Sequence, residues 1–360
     1  MFWRKIFCSL IFFLIIPSLN ARGSQHGDTD ATPTEFNPGE MIIDHIKDGH
    51  DWHIMTIRDR HISIPLPILL IHDGKFHAFM SSKFHHGHAD YRGFRLMSEG
   101  EHAGKIVHVD AQGHISPKLP IDLSITKNVF SLIFVAILLA VIFVNVSKTY
   151  RRRGTDQAPT GFQNLIEPVI VFIRDDVAKI SIPEKHIDRY LPYLLTLFFF
   201  ILFSNLLGLI PFFPGGANVT GNIAVTFALA VFTFLITNFS GKRAYFQEIF
   251  NHPAAPWWVK FPIPLLPAIE VMGIFIKPFV LMIRLFANIM AGHIIMLGLI
   301  CLIFIFGQMD ALLGYGASVI SIAFALFISV LEILVSFIQA FIFTLLTSLY
   351  IGAAVEEEHH

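Results

Sequence analysis

Seven polar or ionisable side chains, Glu270, Lys277, Arg284, Asn288, His293, Glu332 and Gln339, are spread along two apolar stretches, 264–306 and 317–355. Placing one ionisable group inside a bilayer costs about 3 kcal/mol on insertion scales, so each must be paired, hydrated or put to use. Helical phase sorts them. Arg284 and Asn288 fall roughly 40° apart on one face, while Glu270, Lys277 and Arg284, spaced by seven, drift only about 20° per step. His293 lies about 180° from Arg284, so the two face opposite sides of one helix. An arginine keeps its charge under essentially all conditions, and Arg284 has no acidic residue within a turn. It suits presentation to a partner on another chain, whereas His293 and Glu332 carry the imidazole and carboxylate that a proton relay needs. Glu332 and Gln339 share a face of the second stretch. Plainer roles exist for most: a packed His293, a snorkelling Lys277, a Glu332 paired with Lys277 or His293, and interhelical hydrogen bonds from Asn288 and Gln339.

As helices the two stretches would measure about 65 and 60 Å, roughly twice the ~30 Å hydrocarbon thickness. Either each divides into two crossings, or both tilt as an antiparallel pair joined near 307–316. The polar groups are distributed along both stretches and no strong turn signal interrupts either. This favours two long tilted helices, the first kinked at Pro278, which lacks a donor and crowds the carbonyl of Ile274.

The rest of the chain sets these helices in a membrane. Hydrophobic residues make up 54% of the 360, charged residues only 15%, and phenylalanine occurs 37 times, which places the chain among integral membrane proteins. A net charge of −1 leaves no basic face for phosphates, so nucleic acid is not an expected partner. Cys8 and Cys301 are the two cysteines, and cysteine chemistry is not expected. Stretch 129–146 reads as a first crossing, followed by Lys148, Arg151, Arg152 and Arg153, whose charges assign that loop to the cytoplasmic side. Residues 162–177 alternate at helical spacing opposite Asp175, Asp176 and Lys179 and predict a helix along the interface. Stretches 191–210 and 223–239 cross next, and Trp257 and Trp258 suit the membrane interface. The expected fold is an all-α polytopic membrane protein of five crossings with the C-terminus cytoplasmic.

Arg4 and Lys5, an apolar run 6–16 and small residues after Pro17 have the form of a secretory signal over residues 1–23. Residues 24–122 hold 13 of the 18 histidines, with strand-like runs punctuated by glycine, and read as a small β-rich exported domain. His85, His86 and His88, with His45, His50 and His53, could ligate a transition metal, but no cysteine or tight helical spacing defines a geometry. Solvated histidines are the favoured reading, and no metal or cofactor is assigned. The membrane domain then spans 123–357, with a short tail at 358–360.

The segment Arg284-Leu-Phe-Ala-Asn288-Ile-Met-Ala-Gly292-His293, together with Gln339-Ala-Phe-Ile-Phe-Thr-Leu-Leu-Thr-Ser-Leu-Tyr350, resembles subunit a of the rotary F-type ATP synthase. Asn218-Val-Thr220 and 262–270 add weaker likeness, and the resemblance covers roughly 160–357. It implies that Arg284 is the stator arginine facing the carboxylates of a c-ring, with Asn288 beside it and Gln339 across from it on the last helix. It also implies that His293 and Glu332 occupy half-channel positions whose residue types are interchanged in some bacterial members, and that Glu270 matches a channel-associated acid. The c-ring, a peripheral-stalk subunit b and the lipid membrane would be its partners. The location would be the cell inner membrane, with the N-terminal domain periplasmic. The implied role is non-catalytic: two proton half-channels couple flow to ATP synthesis, and the chain itself has no glycine-lysine phosphate loop. Two other readings stand beside it. A self-contained secondary transporter or channel would call for inverted repeats, and no convincing repeat is present; a membrane-bound metal sensor would make the charged helices incidental.

Overall fold

The computed structural model describes residues 38–57, 60–87, 89–97, 100–110, 114–153, 161–210, 213–251 and 265–356. The expected signal sequence at 1–23, the loop with Trp257 and Trp258, His88, the side chains of His45, His53 and His86, and the tail after Glu356 lie outside the described residues.

Helix α1 (Pro38–Ile46) leads into short antiparallel sheets. Strand β1 (Asp51–Ile57) pairs with β2 (Arg60–Pro65), and β3 (Pro67–His72) lies between β4 (Lys75–Met80) and β7 (Ile121–Asp122). Between them, β5 (Phe94–Leu96) pairs with β6 (Ile106–His108). The β3–β4 hairpin turns at Asp73 and Gly74, both with positive φ, as a two-residue turn matching strand twist requires. Period-two alternation turns Ile68 and Leu70 inward, where they meet Phe84, Phe94 and Ile106.

Among the described residues, five helices are long and apolar enough to cross a membrane. They are α2 (Lys127–Arg153), α4 (Glu184–Gly208), α5 (Ile223–Ser240), α7 (Leu265–Met309) and α8 (Ala311–Val355). Between them lie α3 (Phe162–Phe172), which continues through a π-helical turn at Ile173–Ala178, and α6 (Arg243–Asn251). Helix α4 is the centre of the bundle and is buried along most of its length, whereas α8 is buried mainly in its second half. Its Leu194, Leu197, Phe198, Phe199, Phe200 and Ile201 are almost wholly enclosed. Phe199 meets Phe143 of α2 edge-on at 5.1 Å, and Phe198 meets Phe337 of α8 at 5.6 Å. Such pairs add about 0.5–1.5 kcal/mol beyond area burial. Tyr193 of α4 shares a hydrogen bond of 3.1 Å with Thr233 of α5, which lies 3.4 Å from Thr347 of α8, so three helices are joined through hydroxyls.

The interfacial stretch is held more firmly than amphipathicity alone predicts. Ile166, Ile173, Val177 and Ala178 are buried, and Ser348 of α8 donates to the Val177 carbonyl at 3.5 Å. Hydrogen bonds from Arg174, then Lys179, hold the Asp175 carboxyl far below the usual carboxylate range. Farther along, Gly352 lets α8 lie directly against the carbonyl of Ser181.

Both 45-residue helices are unbroken, and α7 continues through Pro278. The expected joint at 307–316 is corrected. Gly307 and Gly316 are helical, and the chain reverses around Asp310 alone, whose carboxylate caps α8 by accepting from the Leu312 N–H at 2.7 Å. Glycine permits the tight reversal: a Cβ on Gly314 would stand 2.7 Å from Cα of Gly307.

Gly352→Ala is expected to destabilise the folded subunit by about 1–3 kcal/mol, because the added carbon meets backbone that cannot swing away. Gly316→Ala, where nothing lies within 4 Å, should be neutral or gain up to about 1 kcal/mol in helix propensity. Thermal unfolding in detergent of the two variants beside the parent checks the contrast.

Candidate functional site

The polar groups of α7 and α8 are positioned by the register of the pair. Gly292 lies against the Glu332 carboxylate, Ser329 donates to the Met296 sulfur at 3.5 Å, and the Lys277 ammonium stands 5.7 Å from the centre of the Tyr350 ring. Together with Gly307 on Gly314, these contacts run antiparallel along the whole length and bring Gln339 level with Arg284 and Leu285.

Arg284 and Asn288 are exposed, on a face of α7 otherwise made of Phe279, Val280, Ile283 and Ala287. No acidic side chain among the described residues forms an ion pair with Arg284, and Tyr350 lies within electrostatic reach of it. His293 is on the other side, 9% exposed, with Nδ1 3.0 Å from the Ile289 carbonyl of its own helix. Its Nε2 is buried toward Gly208 at the end of α4 and has no hydrogen-bond partner. Glu332 is equally buried, and its Oε2 also has no partner. The opposed placement of Arg284 and His293 therefore follows helical phase.

His293 and Glu332 come to neighbouring positions through Gly292, yet form no ion pair with each other; one points to α4 while the other fills the space above Gly292. Glu332 does not pair with Lys277 either, because Lys277 sits nearly two turns beyond Arg284, over Tyr350. Glu270, half-buried near the start of α7, faces Tyr245 of α6, whose phenol is pushed up by burial and further by the Glu270 charge. Tyr245 also bounds, with Lys277 and Tyr350, a small cavity of about 40 Å³ on the far side of Arg284 from His293. The candidate groups thus fall in two regions on either side of Arg284.

Each region joins sequence-derived residues, Gln339 in one and Asn218 and Thr220 in the other, with polar groups that were not singled out from the sequence. Ser336, Gln339, Thr344, Thr347 and Ser348 extend the Glu332 face of α8 into the bundle. Near His293, Thr220 donates to Asn205 at 2.5 Å, and the side-chain nitrogens of Asn205 and Asn218 are buried without partners. The α8 row could have been read from its three- and four-residue spacing. The Asn205–Thr220 contact joins separate segments and leaves no periodic trace. In the N-terminal region, His50 pairs with Asp122 at 3.1 Å and, with the exposed His85, borders a cavity of about 340 Å³. Among the described residues no three His, Cys, Asp or Glu side chains are placed to hold a metal ion.

Five apolar helices, two of them carrying charged and polar groups at mid-length, define a multi-pass membrane protein built around an antiparallel helical pair. The family described as ATP synthase A chain matches residues 129–352. ATP synthase subunit a of Chloroherpeton thalassium is 44% identical over 254 residues, covering 68% of this chain and 71% of the relative. The subunit a of Pelodictyon phaeoclathratiforme is 45% identical over 255 residues, with 68% and 70% covered. A subunit a of Chlorobium phaeobacteroides is 39% identical over 301 residues, with 73% and 83% covered. The chain belongs to this family and is an F-type ATP synthase membrane subunit a, which works in complex with other subunits of the synthase. A separate family, described only as a domain of unknown function, matches residues 41–124.

Gly292→Ala is expected to leave insertion intact, since the added carbon meets the end of a flexible side chain, but to displace the Glu332 carboxylate. ATP-driven proton pumping in inverted membranes should fall about tenfold, equivalent to ~1.4 kcal/mol on the limiting step. Gly298→Ala, with open space around it, should pump normally.

Proposed function

We propose that this subunit is the ion-translocating stator element of its synthase: it presents Arg284 to the carboxylates of a rotating c-ring and forms one half-channel on each side of that arginine. The observation that carries the reading is Arg284 itself, a permanent charge on an exposed apolar helix face with no acidic partner among the described residues. A carboxylate on another chain supplies the missing partner. The exposed apolar surface around it, including Phe279, Ile283 and Ile294, suits a lipid-embedded ring that slides past. A peripheral-stalk subunit b would hold the stator still.

In this reading the proton arrives on the His293 side, where Glu332 and His293 offer a carboxylate and an imidazole among buried amides and hydroxyls. It neutralises a ring carboxylate, which can then enter lipid. After nearly a full turn the site reaches the Glu270 side, where Arg284 favours the ionised carboxylate and promotes release. The same charge blocks direct passage between the half-channels. Each proton contributes about 2.3 kcal/mol per 100 mV, so several are needed per ATP. The subunit performs no phosphoryl transfer. The N-terminal region and the His293 side face the exported compartment, the periplasm of an inner membrane, and the C-terminus faces the cytoplasm.

Replacement of Arg284 by Ala should abolish proton-driven ATP synthesis in reconstituted vesicles with the subunit still assembled. Arg284→Lys should fail as well, because an ammonium reproduces neither the guanidinium fork nor its fixed protonation. Normal coupled synthesis in either variant would refute the stator role.

His293→Ala and Glu332→Gln are each expected to slow proton flux. The double exchange His293→Glu with Glu332→His should restore part of it, since a relay tolerates the order of its groups better than a loss. A double exchange slower than both single variants at matched expression would make His293 a packing residue.

A further inference from the structure

Among the described residues the N-terminal region is joined to the membrane helices at three places, all on the His293 side. Helix α1 rests on α7, with the Cys301 sulfur 3.8 Å from the Met41 sulfur. Asp48 accepts from the Thr126 hydroxyl at 2.8 Å and the Asn128 N–H at 3.1 Å, and the Gly49 carbonyl accepts from the Lys127 N–H at 3.0 Å, which ties the segment onto the start of α2. Trp52, 5% exposed, stands edge-on between Phe130 of α2 at 5.7 Å and Phe213 of the α4–α5 connection at 5.4 Å.

The same connection, a few residues on, carries Asn218 and Thr220, which with Asn205 and His293 form the buried polar cluster described above; Ser204, next to Asn205 on α4 and one turn before Gly208, is buried at the same end. Four polar atoms at this end, Ser204 Oγ, Asn205 Nδ2, Asn218 Nδ2 and His293 Nε2, lack partners, as buried groups seldom do unless water or an ion visits them. Lys127 is close enough for its charge to act on His293. An aromatic wedge supplied by the N-terminal region therefore packs on the same α4–α5 connection that carries part of a wettable cluster, and the seam that holds the wedge includes Lys127, whose charge reaches His293.

We propose that the region matched as a domain of unknown function is a roof over the outer mouth of the half-channel, with Trp52 as its plug, so that water and ions reach the His293 cluster only along the seam past Asp48 and Lys127. The proposal rests on the reading of His293 as a half-channel residue. It assigns the domain a role in access and not in ligand storage or sensing.

The test uses the full subunit in native membranes with Cys8 and Cys301 replaced by Ser and Ser204→Cys, a near-isosteric change, as reporter. A membrane-impermeant thiol reagent added from the exported side should label this cysteine slowly with Trp52 present, on the order of tenfold faster with Trp52→Ala, and slowly again with Trp52→Phe. Equal rates in all three overturn the roof. Should Trp52→Ala fail to assemble, Met41→Cys combined with the Ser204→Cys reporter in a chain that retains Cys301 decides the matter. A disulfide formed under mild oxidant that leaves labelling at Ser204→Cys slow supports a fixed roof; absence of the disulfide, or fast labelling once it has formed, overturns it. Labelling needs no coupled synthesis. A Trp52-dependent rate together with normal flux in His293→Ala upholds the roof and refutes the half-channel reading, and a rate indifferent to Trp52 together with lost flux in His293→Ala does the reverse.

Discussion

An ionisable side chain within an apolar helix must face protein, water or a partner, because lipid alone offers it nothing. The antiparallel apposition of α7 and α8 is how this chain meets that demand. Gly292 allows the helices to approach closely enough for Glu332 to be enclosed, and the one-residue reversal at Asp310 makes the approach continuous along both helices. From that register the remaining placements follow: Gln339 level with Arg284, Lys277 over Tyr350, and His293 turned toward α4.

The bundle built around α4 supplies the rigidity this arrangement needs. Its phenylalanines fill the space among α2, α4 and α8, and hydroxyl contacts from Tyr193 through Thr233 to Thr347 fix α5 against both. Packing of this kind sets side-chain positions to fractions of an ångström. By contrast the first half of α8 and one face of α7 are held by few neighbours within the chain, and Leu312, Val319, Phe324 and Phe327 are open. An apolar surface of that extent is satisfied by lipid or by another membrane subunit.

The distribution of charge is equally asymmetric. Arg284 is displayed outward, whereas the groups with unpartnered polar atoms, His293 and Glu332, are turned inward. A displayed permanent charge and enclosed titratable groups differ chemically: the first keeps its charge under essentially all conditions, and the second can gain or lose a proton. The N-terminal region extends the enclosed side, since Trp52 and Met41 pack on the same end of the bundle as His293.

Much of this was legible in the chain itself. Apolar length predicts five crossings, and spacing by seven and nine residues sets Arg284 and His293 on opposite faces, because helical phase is a local property that neighbouring elements do not alter. The family is legible in the Arg284 and Gln339 segments for the same reason: contiguous residues carry it. Contacts between segments were not. The site of the turn at Asp310 depended on whether Gly307 and Gly314 could meet. The enclosure of Glu332 depended on which residue lay opposite it, and that residue, Gly292, has no side chain to announce a role. The junction of Trp52 with Phe130 and Phe213 joins residues far apart in the chain. Sequence determined which faces existed and what chemistry they bore; tertiary structure decided which faces met, because packing complementarity is a property of pairs of surfaces and is written in neither one alone.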